Sequence, residues 1–131
     1  MVTKLVIAGF LLAHGAIHTG FLSPRPAATA GGPEWPFDLA RSWLLSPLGV
    51  DAELIRVLGG ALVAVTFAAF ALAALAAIGV APEVAWAPAI VAGAVASLAV
   101  LVLFFHPWLV LGVAIDVALV WAALVARWAP A

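Results

Sequence analysis

Residues 57–78 read VLGGALVAVTFAAFALAALAAI, an unbroken run with no charged side chain between Arg56 and Gly79. A helix needs about 20 apolar residues to cross the hydrocarbon core, where every backbone N–H and C=O must find its partner within the segment. This run meets that length. Asp51, a good N-cap residue, opens the helix and Gly79 closes it, so a span is expected over about 51–79. Three more follow the same pattern. One runs over about 3–22, from Lys4 to the stop Ser23-Pro24-Arg25-Pro26. Another runs over about 82–105, with Pro82 in its first turn and Pro88 as a possible bend. The last runs over about 107–128, with Pro107 again at a first-turn position.

Composition points the same way. Of 131 residues, 68% are hydrophobic and only 8% charged, and the mean hydropathy is +1.30. Soluble domains carry about 25% charged residues, and a short chain cannot hide this much apolar surface from water. Lipid is the expected solvent. Net charge is −1, so there is no basic footprint for nucleic acid. Cysteine is absent, which excludes disulfides, thiolate metal sites and thiol redox chemistry.

Lys4, the first apolar run and the small residues Ala28-Thr29-Ala30 imitate a signal peptide with its cleavage site. The run is long enough to span, and Pro24 and Pro26 precede the supposed site, so a retained first transmembrane helix is expected. The connections Val80-Ala81 and His106-Pro107 are short, which makes spans two, three and four antiparallel neighbours. The expected fold is all-α: a polytopic membrane protein with a four-helix antiparallel bundle. The linker 23–50 is the one polar region of any length. Within it Phe37, Leu44 and Leu45 beside Asp38 and Arg41 predict a short amphipathic helix on the membrane surface.

Four spans put both termini on one side and the long linker on the other. Trp35, Trp43 and Trp108 then mark one interface, and Trp86 and Trp128 the other. Lys4 and Arg127 against Arg25, Arg41 and Arg56 give almost no charge asymmetry. The termini are expected to be cytoplasmic in a bacterial-type inner membrane, from the habit of small bundles rather than from charge.

Ionisable groups inside a span are expensive and point to function. His14 and His18 sit four residues apart, about 40° around the helix, and so face the same way. At 1.5 Å per residue His14 lies roughly 12 Å below the linker-side surface, His18 roughly 6 Å, and Asp116 roughly 13 Å. His14 and Asp116 match in depth. Arg56 and His106 fall near the mouth of this region. The opposite stripe of the first helix, Gly9, Ala13, Ala16 and Gly20, is a small-residue seam suited to close helix packing or a homodimer.

Several chemistries fit. His14, His18 and Asp116 could give a three-ligand site for a divalent metal ion with an open position, although the HxxxH lacks the zincin glutamate. The same groups, graded in depth, could relay protons. They could serve acid–base work on a lipid or quinone head group, with Arg41 or Arg56 holding an anion. Asp116 could instead pair with His14 only to hold helices in register, leaving a structural or assembly subunit.

The layout and the first-helix run Ala8-Gly9-Phe10-Leu11-Leu12-Ala13-His14-Gly15 resemble the small bacterial DoxX-like membrane proteins. That resemblance implies a four-helix bundle, often near redox or stress systems. It implies no site residue.

Overall fold

The computed structural model describes residues 1–27 and 30–129, so Ala28 and Thr29 of the cleavage-like tripeptide lie outside the described residues. It is all-helical. The main elements are α1 (Val2–Ile17), α2 (Ala52–Ala77), α3 (Trp86–Leu103) and α4 (Val110–Leu124). Short 3-10 turns extend three of them, at His18–Leu22, Glu83–Ala85 and Pro107–Leu109. With those turns all four are long and apolar enough to cross a membrane. Large apolar side chains cover the outside, among them Leu5, Phe10, Val65, Leu75, Leu111 and Trp121. Water-soluble monomers rarely expose contiguous apolar surface on this scale; the helices are consistent with a small membrane protein.

Local chemistry sets the ends. The Asp51 carboxylate accepts from the Glu53 and Leu54 N–H groups and starts α2. Pro88 falls in the first turn of α3, where its missing N–H would have had no intrahelical partner. The fourth helix stops at Leu124 rather than running to residue 128. There the chain turns back through Arg127 at φ 49°, and the Trp86 indole N–H donates to the Trp128 carbonyl at 2.9 Å.

Helix packs on helix in chain order: α1 on α2, α2 on α3, α3 on α4. Two apolar clusters result. One gathers Ala8, Leu11, Phe70, Ala73, Ile90, Ala94 and Ala123. The other gathers Phe21, Leu39, Ile55, Val63, Val100, Leu101, Phe104 and Leu109. Along every helix the residues between these two sets are polar and buried: His14 and His18, Thr66, Ser97, Asp116. The bundle is therefore layered, apolar–polar–apolar.

Phe70 is the hinge of that layering. It is fully buried and lies in a slot left by two glycines. A Cβ on Gly93 would stand 2.9 Å from its ring, and one on Gly15 would stand 3.3 Å from its Cβ. Gly93→Ala is expected to lower stability by about 1–3 kcal/mol, because the ring has no room to retreat. Gly9→Ala, where an added methyl meets nothing within 4 Å, is the control and should be neutral or slightly stabilising. Denaturant unfolding of both variants in detergent checks the contrast. Equal behaviour would show that the slot is not tight.

The linker differs from its predicted amphipathic helix. Residues 37–45 are irregular, and among the described residues of the linker the only helical turn is Ser46–Leu48. The cause is competition from side-chain bonds. Asp38 accepts from the Ala40 N–H at 2.7 Å and pairs with Arg25 at 3.3 Å. Ser42 donates to the Leu103 carbonyl at 2.7 Å, and the Trp43 indole donates to the Val102 carbonyl at 2.6 Å. Those carbonyls end α3 and lack intrahelical partners. Leu39 is buried beside Gly59 and Phe104. The linker thus caps one end of the helices instead of lying apart from them.

Candidate functional site

Four residues of the polar layer form one connected network, while Thr66 donates to the Leu62 carbonyl of its own helix at 2.9 Å. Seen from α1, the helix tightens into its 3-10 turn at His18, whose backbone N–H bonds to Gly15 O rather than to His14 O. The released His14 carbonyl takes the His18 side chain instead, with Nδ1 at 2.9 Å. A carbonyl only accepts, so His18 Nδ1 carries a hydrogen. The other ring nitrogen, Nε2, is 2.7 Å from Ser97 Oγ on α3. Ser97 Oγ also bonds to Asp116 Oδ2 on α4. Asp116 Oδ1 is 2.8 Å from His14 Nε2, which returns the circuit to α1. All four residues are buried, Ser97 and Asp116 fully. Phe70 stands edge-on to the His14 ring at 5.2 Å between centroids, and Phe10 stacks on it at 6.1 Å.

Hydrogens can be counted around this circuit. Three contacts join His18, Ser97, Asp116 and His14, and each needs one hydrogen. Ser97 supplies one and His14 Nε2–H a second. The third sits either on His18 Nε2, facing an ionised Asp116, or on Asp116 Oδ2, facing a neutral His18. Both placements leave the cluster with zero net charge, the less costly state away from water. They differ only by a concerted shift of two hydrogens across the Ser97 hydroxyl.

Among the described residues, one ring nitrogen of the network is left unbonded. Both nitrogens of His18 are engaged, one by a backbone carbonyl, so His18 is not an exit to the surface. His14 Nδ1 has no hydrogen-bond partner among the described residues. It is not sealed either, since Trp35 Nε1 is the one fully enclosed, unpartnered side-chain nitrogen or oxygen among them. His14 and His18 line a cavity of about 430 Å³ between α1 and α4, under linker residues 33–37. Its other walls are mainly apolar: Ile17, Phe21, Leu101, Leu109, Leu111 and Ile115, with Glu34 at the linker.

The sequence-predicted residues divide sharply. His14, His18 and Asp116 come together. Arg56 does not: it is exposed and pairs with Glu53 at 3.2 Å. Nor does His106, whose Nδ1 accepts the Trp108 N–H at 3.2 Å and caps the turn that leads into α4. For a metal, no group of three or more His, Asp or Glu side chains among the described residues is arranged to hold an ion. Apart from His14 Nδ1, the nitrogens and oxygens that would ligate are bonded within the circuit or to a carbonyl. In the small-residue seam Gly9, Ala13 and Ala16 are exposed, while Gly20 lies under the Phe37 ring. Ser97 is the member that sequence reasoning missed. It is the lone hydroxyl in α3, and counting its depth from Leu103, about 9 Å, would have placed it level with the histidines.

Compared with known protein families, curated proteins and solved structures, the chain gave no match.

Proposed function

We propose that this chain is a multi-pass protein of a cell membrane, its helices an antiparallel bundle, which binds a small amphiphile in the cavity between α1 and α4. The ligand class is a lipid or a quinone-type molecule: an apolar body with one polar group. The observation that carries the reading is the network's one unbonded ring nitrogen, on a histidine that lines the cavity. The cavity walls are mainly apolar, and the imidazole of His14 enters them backed by a neutral store of hydrogens.

Asp116 holds His14 in the tautomer with hydrogen on Nε2, leaving Nδ1 to accept a hydrogen bond or a proton from a ligand hydroxyl. A carboxylate that orients an imidazole for acid–base work is a recurring arrangement. A proton taken at Nδ1 makes His14 a cation, and in the placement that leaves Asp116 ionised the carboxylate meets that charge at 2.8 Å. A divalent metal is the weaker proposal, since it would have to break bonds that are already made. The likeness to DoxX-like proteins agrees with the bundle and adds no residue to the site.

A structural subunit is the second reading, favoured by one specific observation: every bond of the circuit is internal to the chain and ties α1, α3 and α4 together. Filling the cavity separates the two. The full chain, released from mild detergent into native mass spectrometry after titration with a decyl-chain benzoquinol kept reduced, whose hydroxyl can donate to His14 Nδ1, is expected to bind it saturably. Ile115→Trp, which places an indole in the cavity, should weaken binding about tenfold or more. Binding that is absent, or equal in wild type and variant, would leave the structural reading.

A further inference from the structure

A second cavity, about 650 Å³, lies among the linker and residues 104–106. It shares only Glu34, Trp35 and Pro36 with the cavity below. Four charged side chains line it. Arg25 and Asp38 are already paired with each other. Arg41 and Glu34 have no ion-pair or hydrogen-bond partner among the described residues, so one free charge of each sign is left facing the same space. His106 adds a donor. Its Nδ1 accepts the Trp108 N–H, which fixes the neutral ring's hydrogen on Nε2. Trp35, Trp43 and Phe105 supply aromatic surface, and Trp35 Nε1–H is enclosed with no acceptor.

We propose that this cavity binds the zwitterionic headgroup of a phospholipid, a phosphate joined to an ammonium. The phosphate takes Arg41 and the His106 Nε2–H. Guanidinium is suited to phosphate because its donors are fixed in a plane. The ammonium takes Glu34 and the aromatic faces, which attract cations through the ring quadrupole. A purely anionic headgroup would leave Glu34 repelling it. Tryptophans at the membrane surface mark headgroup level, and the shared Glu34–Trp35–Pro36 wall gives an acyl chain an apolar slot next door. No member of the His–Ser–Asp circuit is used, so the site stands whether or not the lower cavity holds a ligand.

The test titrates the detergent-solubilised full chain with three short-chain probes below their micellar concentrations, read by tryptophan fluorescence and native mass spectrometry. They are dihexanoyl phosphatidylethanolamine, dihexanoyl phosphatidylglycerol and free phosphoethanolamine. The ethanolamine lipid is expected to bind saturably and tighter than the glycerol lipid. Arg41→Gln should weaken both lipids, and Glu34→Gln only the ethanolamine lipid, each by about five- to tenfold. Both residues are exposed, and unchanged melting confirms that the fold is intact. A tighter glycerol lipid, or a Glu34→Gln variant that binds the ethanolamine lipid as before, overturns the zwitterion in favour of an anion site. Free phosphoethanolamine binding as well as the lipid overturns the lipid source. Non-saturating binding, or binding indifferent to Arg41, overturns the site altogether.

Discussion

Asp116→Leu is expected to lower the unfolding free energy by about 2–3 kcal/mol, while Asp116→Asn costs under about 1 kcal/mol. Leucine removes two buried bonds at once, to His14 and to Ser97. The Ser97 hydroxyl can still donate to His18, but the His14 Nε2–H is left without an acceptor in an apolar setting. A single interhelical hydrogen bond in a membrane is worth about 0.6 kcal/mol on average. The larger figure here reflects two bonds and an acceptor site with no access to water.

Asparagine behaves differently, and the hydrogen count says why. The amide oxygen accepts from His14, the amide N–H donates to Ser97, Ser97 donates to His18, and His18 donates to the His14 carbonyl. Every contact keeps its hydrogen with both rings neutral, and only the second amide hydrogen lacks a partner. The circuit then points one way and cannot reverse. Asp116→Asn should therefore keep the fold, and with it any quinol binding at His14, but show His18 fixed as the Nδ1–H tautomer. Imidazole ¹⁵N spectra of the two proteins read that directly, beside unfolding in mixed detergent. If asparagine destabilises as much as leucine does, the circuit is not connected as described. If leucine costs nothing, Asp116 does not hold the helices.

How much of this was legible in the sequence depended on which quantity each residue exposed. Hydropathy locates the four long apolar helices because their surroundings select for it, residue by residue. Depth counting brings His14 and Asp116 to one level because the rise per residue is fixed. Depth carries no angle, however, and so it also drew in Arg56 and His106, which turn to Glu53 and to their own backbone. Ser97 went unread because a serine inside a helix usually bonds its own backbone and signals nothing. The closing bond at His18 depends on a change from α to 3-10 geometry that no spacing announces. The linker misled for a related reason. Its apolar spacing suits a helix, but Ser42 finds its partner 61 residues away, and a local pattern holds no record of that.

Phe70→Ala is expected to cost about 2–4 kcal/mol, chiefly through the void it leaves. For helices set in lipid, the transfer term that dominates such losses in water would largely vanish, because hydrocarbon is as apolar as the core. What remains is the loss of close packing. The ring fills a slot between Gly15 and Gly93, neither of which has a side chain to move into the space. The void would also adjoin His14, whose ring rests against Phe70 at 5.2 Å, so the imidazole loses its support on that side. Phe70→Ala should accordingly reduce stability and also broaden the His14 ring signals, whereas Phe70→Leu, which refills most of the slot, should recover both in large part. A Phe70→Ala protein as stable as wild type would mean that the layers are held by the polar circuit alone. A destabilised one with unaltered His14 signals would mean that Asp116 suffices to position the imidazole, and the aromatic contact would then matter to the fold but not to the site.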